Sequence, residues 1–132
     1  MWCGRYMFKV IIVDDYQMVR SGLSLLFSTH DDMKVIATGT DGYEAIALCR
    51  LHTPDILVID YQMPLLDGIS AINEIRHEFP ALIIILLSSL ADDIQPDKVL
   101  SSGVNLHLLK DSNTSDILTT IRQYALSYVL GG

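Results

Sequence analysis

Short runs of β-branched and aliphatic residues alternate along the chain with longer stretches whose apolar positions recur at helical spacing, which predicts a strand-helix alternation. The runs at 8–13, 34–38, 56–60, 82–88 and 106–109 read as strands. Two of them contain VIIV and LIIILL, which leave no polar position to face water, so these strands belong in the centre of a sheet covered on both sides. Between the runs, Val19, Leu23, Leu26 and Phe27 fall at helical offsets, as do Ile69, Ile72, Ile75 and Phe79, and again Ile117, Ile121, Tyr124, Ala125 and Tyr128. A further helix over 42–52 has Asp41 as its cap and Thr53-Pro54 as its stop. Between 92 and 102 the apolar positions Ile94, Val99 and Leu100 make a broken stripe with Pro96 in the first turn, so packing should hold this helix least firmly. Five such pairs with right-handed crossovers predict an α/β fold, a doubly wound five-stranded parallel sheet in a (βα)5 three-layer sandwich. A barrel would need eight strands and about 250 residues.

Composition narrows the function. With 132 residues, half of them hydrophobic, the chain has the size of one domain with a substantial core, and disorder is excluded. The longest aliphatic run covers only 81–87, far short of the roughly 20 residues that cross a bilayer, so no membrane span is expected. The first residues lack the apolar stretch of a secretory signal. Residues 1–8 therefore read as an extension or tag remnant, 9–130 as the domain and 131–132 as a tail, with a cytoplasmic location expected. Sixteen acidic against nine basic residues give a net charge of −7. That charge repels nucleic acid and anionic membranes, so any DNA contact would need another domain. Cys3 and Cys49 form neither a metal-ligand spacing nor a disulfide framework, and Cys49 fits a small buried hydrophobe.

Ligands of such sheets sit beyond the carboxyl ends of the strands. The first strand ends in Val13-Asp14-Asp15, the third in Ile59-Asp60, the fourth in Leu87-Ser88-Ser89 and the fifth in Leu109-Lys110-Asp111. Any one of these acids could be a cap or turn residue, but a parallel sheet gathers all four ends on one rim. Three crowded carboxylates need a cation to remain ionised together. Oxygen ligands without nearby His or Cys suit a hard ion with several waters, Mg²⁺ better than Ca²⁺. One carboxylate is then left to act as a nucleophile, with the Lys110 ammonium and the Ser88 hydroxyl supplying charge stabilisation and hydrogen bonds for phosphoryl transfer.

These residues carry a resemblance. KVIIVDD, DILVIDYQMPLLDG, the Ser88-Ser89 pair and SSGVNLHLLKD, with their spacing, make the chain resemble a response regulator receiver domain, of the flavodoxin-like, CheY-like superfamily, from Lys9 to about Leu130. The resemblance implies that Asp60 is the phosphoacceptor, attacking a phosphohistidine on a sensor histidine kinase or phosphotransfer protein. Asp15 would be the direct Mg²⁺ ligand, Asp14 a ligand largely through water, and Gln62 would lend a backbone carbonyl; Pro64 and Gly68 would shape the following loop. Ser88 matches the switch hydroxyl and Lys110 the lysine that salt-bridges the phosphoryl group. His107 departs from the pattern, standing where the family usually carries a switch Tyr or Phe. It fits either a switch that can charge, making output pH-sensitive because a protonated ring rotates inward less readily, or a residue packed at a strand edge. MVRSGL and LLKDSNTSDILTTIRQY look most like receivers of LuxR/NarL-type transcriptional regulators. The resemblance therefore implies a two-component switch that alters its α4-β5-α5 face, homodimerises when phosphorylated, and controls transcription through a DNA-binding output domain outside this sequence.

Other residues carry less. His30, His52 and His77 sit near predicted helix C-termini, where a cationic ring suits the dipole. The scattered methionines form no soft-metal site, Gly39 and Gly42 no nucleotide loop, and Tyr124 and Tyr128 fit either the core or a partner surface. An Mg²⁺-dependent phosphatase with an aspartyl-phosphate intermediate is the enzymatic alternative. Gln62 stands where such enzymes typically place a second Asp. A flavodoxin-like electron carrier would need a phosphate-cradling loop where Asp14-Asp15 stand. A phosphorylation-independent interaction module is the third alternative.

Overall fold

The structure, a computed structural model, describes residues 6–131. The expectations for residues 1–5, Cys3 among them, and for Gly132 fall outside the described residues. The elements run β1 (Phe8–Val13), α1 (Gln17–Phe27), β2 (Met33–Gly39), α2 (Gly42–His52), β3 (Ile56–Asp60), α3 (Gly68–Glu78), β4 (Ile83–Ser88), α4 (Pro96–Ser102), β5 (Leu106–Leu109) and α5 (Thr114–Leu130). β1 takes in Phe8, which is buried, one residue before the boundary expected at 9.

The strands pair in the order β2-β1-β3-β4-β5, every pair parallel. Every residue of β3 and β4 is buried, as their sequences require. The pleat sorts neighbouring residues into two cores. Val10, Ile12, Ile56 and Val58 pack with Leu23 and Phe27 of α1 and Ile117 and Ile121 of α5. Ile11, Val13, Leu57 and Ile59 pack with Cys49 of α2, Ile72 and Ile75 of α3 and Val99 of α4. Burial of Cys49 pushes its thiol up to about 12, so it serves as packing and not as a nucleophile. Because β2 and β3 flank β1 on opposite sides, the chain changes direction across the sheet between β1 and β3, and their carboxyl ends mark the switch point.

Three helices are capped by side chains: Asp41, the cap read from sequence, and also Asp67 and Asn113 accept hydrogen bonds from the amides of Glu44, Ser70 and Ser115 respectively, each at 2.9 Å. α4 is shorter than the 92–102 stretch predicted. It starts at Pro96, and Gln95 before it is extended at φ −73°, ψ 128°, because a residue preceding proline avoids the helical region. Only Val99 and Ser102 of α4 are buried, so it has little apolar anchorage. Its far end is better tied. Arg76 of α3 donates to the carbonyls of Gly103 (2.9 Å) and Leu82 (2.7 Å) and to Asn105 Oδ1 (2.8 Å), and Asn105 in turn donates to the Tyr124 hydroxyl at 3.1 Å. Tyr124 thus joins the core, while Tyr128 stacks on it from an exposed position.

One turn is strained. Between β3 and α3 the Leu66 amide closes back on the Pro64 carbonyl at 2.7 Å around Leu65, whose φ is 70°. Leu65 is 80% exposed, so its side chain contributes little packing to offset that conformation. Leu65→Gly should therefore stabilise the domain by about 1 kcal/mol, the relieved strain exceeding the extra unfolded-chain entropy. Urea unfolding would check this, and a destabilised variant would show that the turn is unstrained.

Candidate functional site

The rim at the β1/β3 switch point gathers the predicted residues. Asp14 and Asp15 follow β1, and Asp60 ends β3. Oxygen atoms of the three carboxylates lie within 4.8 Å of one another. Asp14 and Asp60 are buried, at 1% and 3% exposure, while Asp15 faces solvent. Asp60 pairs in register with Leu87, which sets Ser88 one residue further along β4 at the same rim. Lys110 follows β5, its amide bonded to the Ser88 carbonyl at 2.7 Å. Its ammonium reaches across to Asp14 Oδ2 at 2.8 Å and Asp60 Oδ2 at 3.2 Å.

Charge is unbalanced in this pocket. One ammonium faces two buried carboxylates and a third at the mouth. Burial first, and then the charge of Asp14, push the Asp60 carboxyl up to about 6, with Lys110 pulling the other way. Burial alone would lower the Lys110 ammonium, but the bonds to Asp14 and the charges of both acids raise it on balance. Asp14 Oδ2 is buried and has the Lys110 ammonium 2.8 Å away as its charged partner, an ammonium that it shares with Asp60. Three carboxylates with oxygens this close, sharing a single ammonium, are a donor set that fits a hard divalent cation.

Two supports escaped the sequence reading. The Tyr16 amide donates to Asp14 Oδ1 at 2.9 Å, and the Arg20 guanidinium donates to the Asp14 carbonyl at 2.7 Å. The Tyr16 ring also lies 5.7 Å from the Lys110 ammonium. Their only sequence signal was proximity to the acidic pair.

The remaining predicted residues are placed as follows. Gln62 lies two residues beyond β3, exposed between the half-buried Tyr61 and the buried Met63. Gly68 begins α3, its amide donating to the Tyr61 carbonyl at 2.8 Å; a Cβ there would stand 2.3 Å from the Asp60 carbonyl oxygen, so only glycine lets α3 approach the end of β3 so closely. Ser88 is buried, and its Oγ lies 2.6 Å from Nε2 of His107. His107 is exposed on the edge strand yet its ring reaches the buried Ser88 hydroxyl. His52 and His77 lie in the last turns of α2 and α3, as expected, and neither joins the acidic group.

A doubly wound parallel sheet with three acids, a lysine and a hydroxyl converging at its switch point defines a receiver of the two-component kind. The family of response regulator receiver domains matches residues 10–122, and the chain belongs to it. Among relatives, the response regulator protein VraR of Staphylococcus epidermidis is 36% identical over 115 residues, covering 87% of this chain and 55% of that protein. VraR of Staphylococcus aureus is 35% identical over the same length. The chain thus spans about half the length of the curated relatives it matches. Among solved structures, a LuxR-family two-component response regulator from Aurantimonas sp. SI85-9A1 superposes with a TM-score of 0.83 at 27% identity, covering 92% of this chain and 86% of that one. The signal receiver domain of the response regulator NarL from Mycobacterium tuberculosis gives 0.81 at 28%, covering 91% and 97%. Among the described residues, no helix is long and apolar enough to cross a membrane.

Proposed function

We propose that this receiver is switched by transfer of a phosphoryl group to Asp60. The observation that carries the reading is the buried Asp60 carboxylate set between Lys110 and the Asp14-Asp15 pair at the switch point. An Asp60 oxygen forms a bond to the phosphorus of a phosphohistidine on a sensor kinase or phosphotransfer protein. The N–P bond breaks, and the imidazole leaves with its electron pair. Lys110 pairs with the transferred group, and the Ser88 hydroxyl donates to one of its oxygens. The Asp14, Asp15 and Asp60 carboxylates and the Gln62 carbonyl would hold Mg²⁺, which supplies the positive charge that this acidic pocket lacks. The attacking carboxylate must be ionised, and without a cation its raised titration range works against that.

The output follows from the loop beyond Ser88. The Leu90 amide donates to Asp111 Oδ2 at 2.8 Å and the Ser89 amide to Asp92 Oδ2 at 2.9 Å, so movement of Ser88 would be felt in the segment leading to the lightly anchored α4. Leu100 on α4 and Leu109 on β5 stand exposed where a phosphorylation-dependent homodimer would cover them. The switch is read here as cytoplasmic, controlling a DNA-binding output domain outside this sequence in the manner of LuxR-type regulators. The only chemistry expected of the domain is self-phosphorylation and its reversal.

Phosphotransfer tests the reading: a phosphorylated kinase core should pass its label to this domain in the presence of Mg²⁺ and not after chelation. Retention of the label on the kinase under both conditions would overturn it. The cation should act on stability as well. At roughly a hundredfold excess over its dissociation constant, Mg²⁺ should raise the unfolding free energy by about 2.7 kcal/mol. An unchanged melting curve across a Mg²⁺ titration would remove the metal from the scheme.

A further inference from the structure

The bond between Ser88 and His107 has a direction, and the direction decides what Ser88 can do. A serine hydroxyl has one proton and accepts through its oxygen; a neutral imidazole has one N–H and one bare nitrogen. Across the 2.6 Å between Oγ and Nε2 there is room for one proton. Either Ser88 donates to a bare Nε2, or an Nε2–H donates to Ser88. A phosphoryl group offers only acceptor oxygens, so it can bond Ser88 only through the Ser88 proton. The first arrangement spends that proton on His107, whereas the second leaves it free. Among the described residues none bonds Nδ1 of His107, and so none of them but Ser88 bears on which nitrogen carries the proton.

We propose that His107 is a positioning residue that aims the Ser88 proton at the phosphoryl site, and that modification of Asp60 selects the ring form carrying hydrogen on Nε2. The proposal rests on the reading of Asp60 as phosphoacceptor. The sheet supports the pairing: His107 lies opposite Leu86, and Ser88 opposite Leu109, so Ser88, Leu86 and His107 share one face. Leu86 packs in the core that includes Val99 of α4, so the hydrogen-bonded pair adjoins the least anchored helix. A Tyr or Phe at residue 107 would bring no ring nitrogen to Oγ. His107 thus makes the readiness of Ser88 depend on a proton that the ring can move between its two nitrogens.

The test uses the ¹⁵N-labelled domain with beryllium fluoride and Mg²⁺ as the probe, a mimic whose fluorines also accept hydrogen bonds only. Imidazole nitrogen shifts should report Nε2–H in the bound state, and a bare Nε2 there would overturn the proposal. His107→Leu, which removes the donor, should weaken probe binding about tenfold, as expected for one bond to a charged group. His107→Gln, which places an amide N–H near the Nε2 position, should restore most of that loss. Equal affinities for wild type, Leu and Gln variants would also overturn it. If the probe fails to bind the wild type, or binds Asp60→Asn equally well, the Asp60 reading itself falls and the proposal with it.

Discussion

Replacing Asp60 by Asn should make the metal-free domain more stable above about pH 7 by on the order of 2 kcal/mol, and by almost nothing near pH 4. The cause is the charge imbalance of the rim. Asp60 is 3% exposed and shares one ammonium with Asp14, so its carboxyl titrates near 6 in the folded protein against 3.8 for the free group. Between those values the native state binds more protons than the unfolded chain, and wild-type stability falls as pH rises through that window. Asn occupies the same space, leaves Lys110 paired with Asp14, and does not titrate. The difference between the two proteins should therefore open across the window and stay constant above it. Urea unfolding of both in a chelating buffer at several pH values measures it. A variant less stable than wild type at neutral pH, or a gap that ignores pH, would mean that Asp60 is not held against its electrostatic preference. Functional sites commonly carry such a stability cost.

The second large effect comes from a methyl group. Gly68→Ala would place a Cβ 2.3 Å from the Asp60 carbonyl oxygen and 3.0 Å from the Tyr61 Cα. Neither atom can give way easily, because β3 is fixed by ladders to β1 on one side and β4 on the other. The expected loss is about 3 kcal/mol, at the upper end of overpacking penalties. Phosphorylation should slow at least roughly tenfold, since the displaced backbone is the one that carries Asp60. Gly22→Ala is the matched control. Gly22 lies in α1 with nothing within 4 Å of a built Cβ, so alanine there should raise helix stability by roughly 0.5–1 kcal/mol. If both substitutions behaved alike in denaturant, close approach of α3 to β3 would not be what demands glycine at residue 68.

Much of the fold was legible because the chain states its periods openly. An uninterrupted VIIV or LIIILL has no amphipathic reading, which left central strands, and β1, β3 and β5 have the bounds read from sequence. The rim acids were legible for a related reason: a charge directly after a buried strand lands at the sheet edge whatever the loops do. The start of α4 was less legible. Its broken stripe offered no clear first turn, and the restriction that Pro96 places on Gln95 decided the matter. Contacts between distant elements left no periodic trace. Nothing local announces that Arg20 bonds the Asp14 carbonyl, that Arg76 ties α3 to the segment before β5, or that the His107 ring meets Ser88 across the β4/β5 ladder. Leu65 hid for another reason, since a leucine in a left-handed turn contradicts local preference and follows from closure of the loop between β3 and α3.

The central claim is that Asp60 accepts a phosphoryl group with the help of a divalent cation. Its most direct test is the intact mass of the domain, wild type and Asp60→Asn in parallel, after incubation with a small phosphodonor with and without Mg²⁺. The expected result is the addition of one phosphoryl group to the wild type, dependent on Mg²⁺ and absent from Asp60→Asn. A folded wild type that gains no mass under either condition, or an Asn variant that gains it equally, would contradict the claim and leave an interaction module that works without phosphorylation.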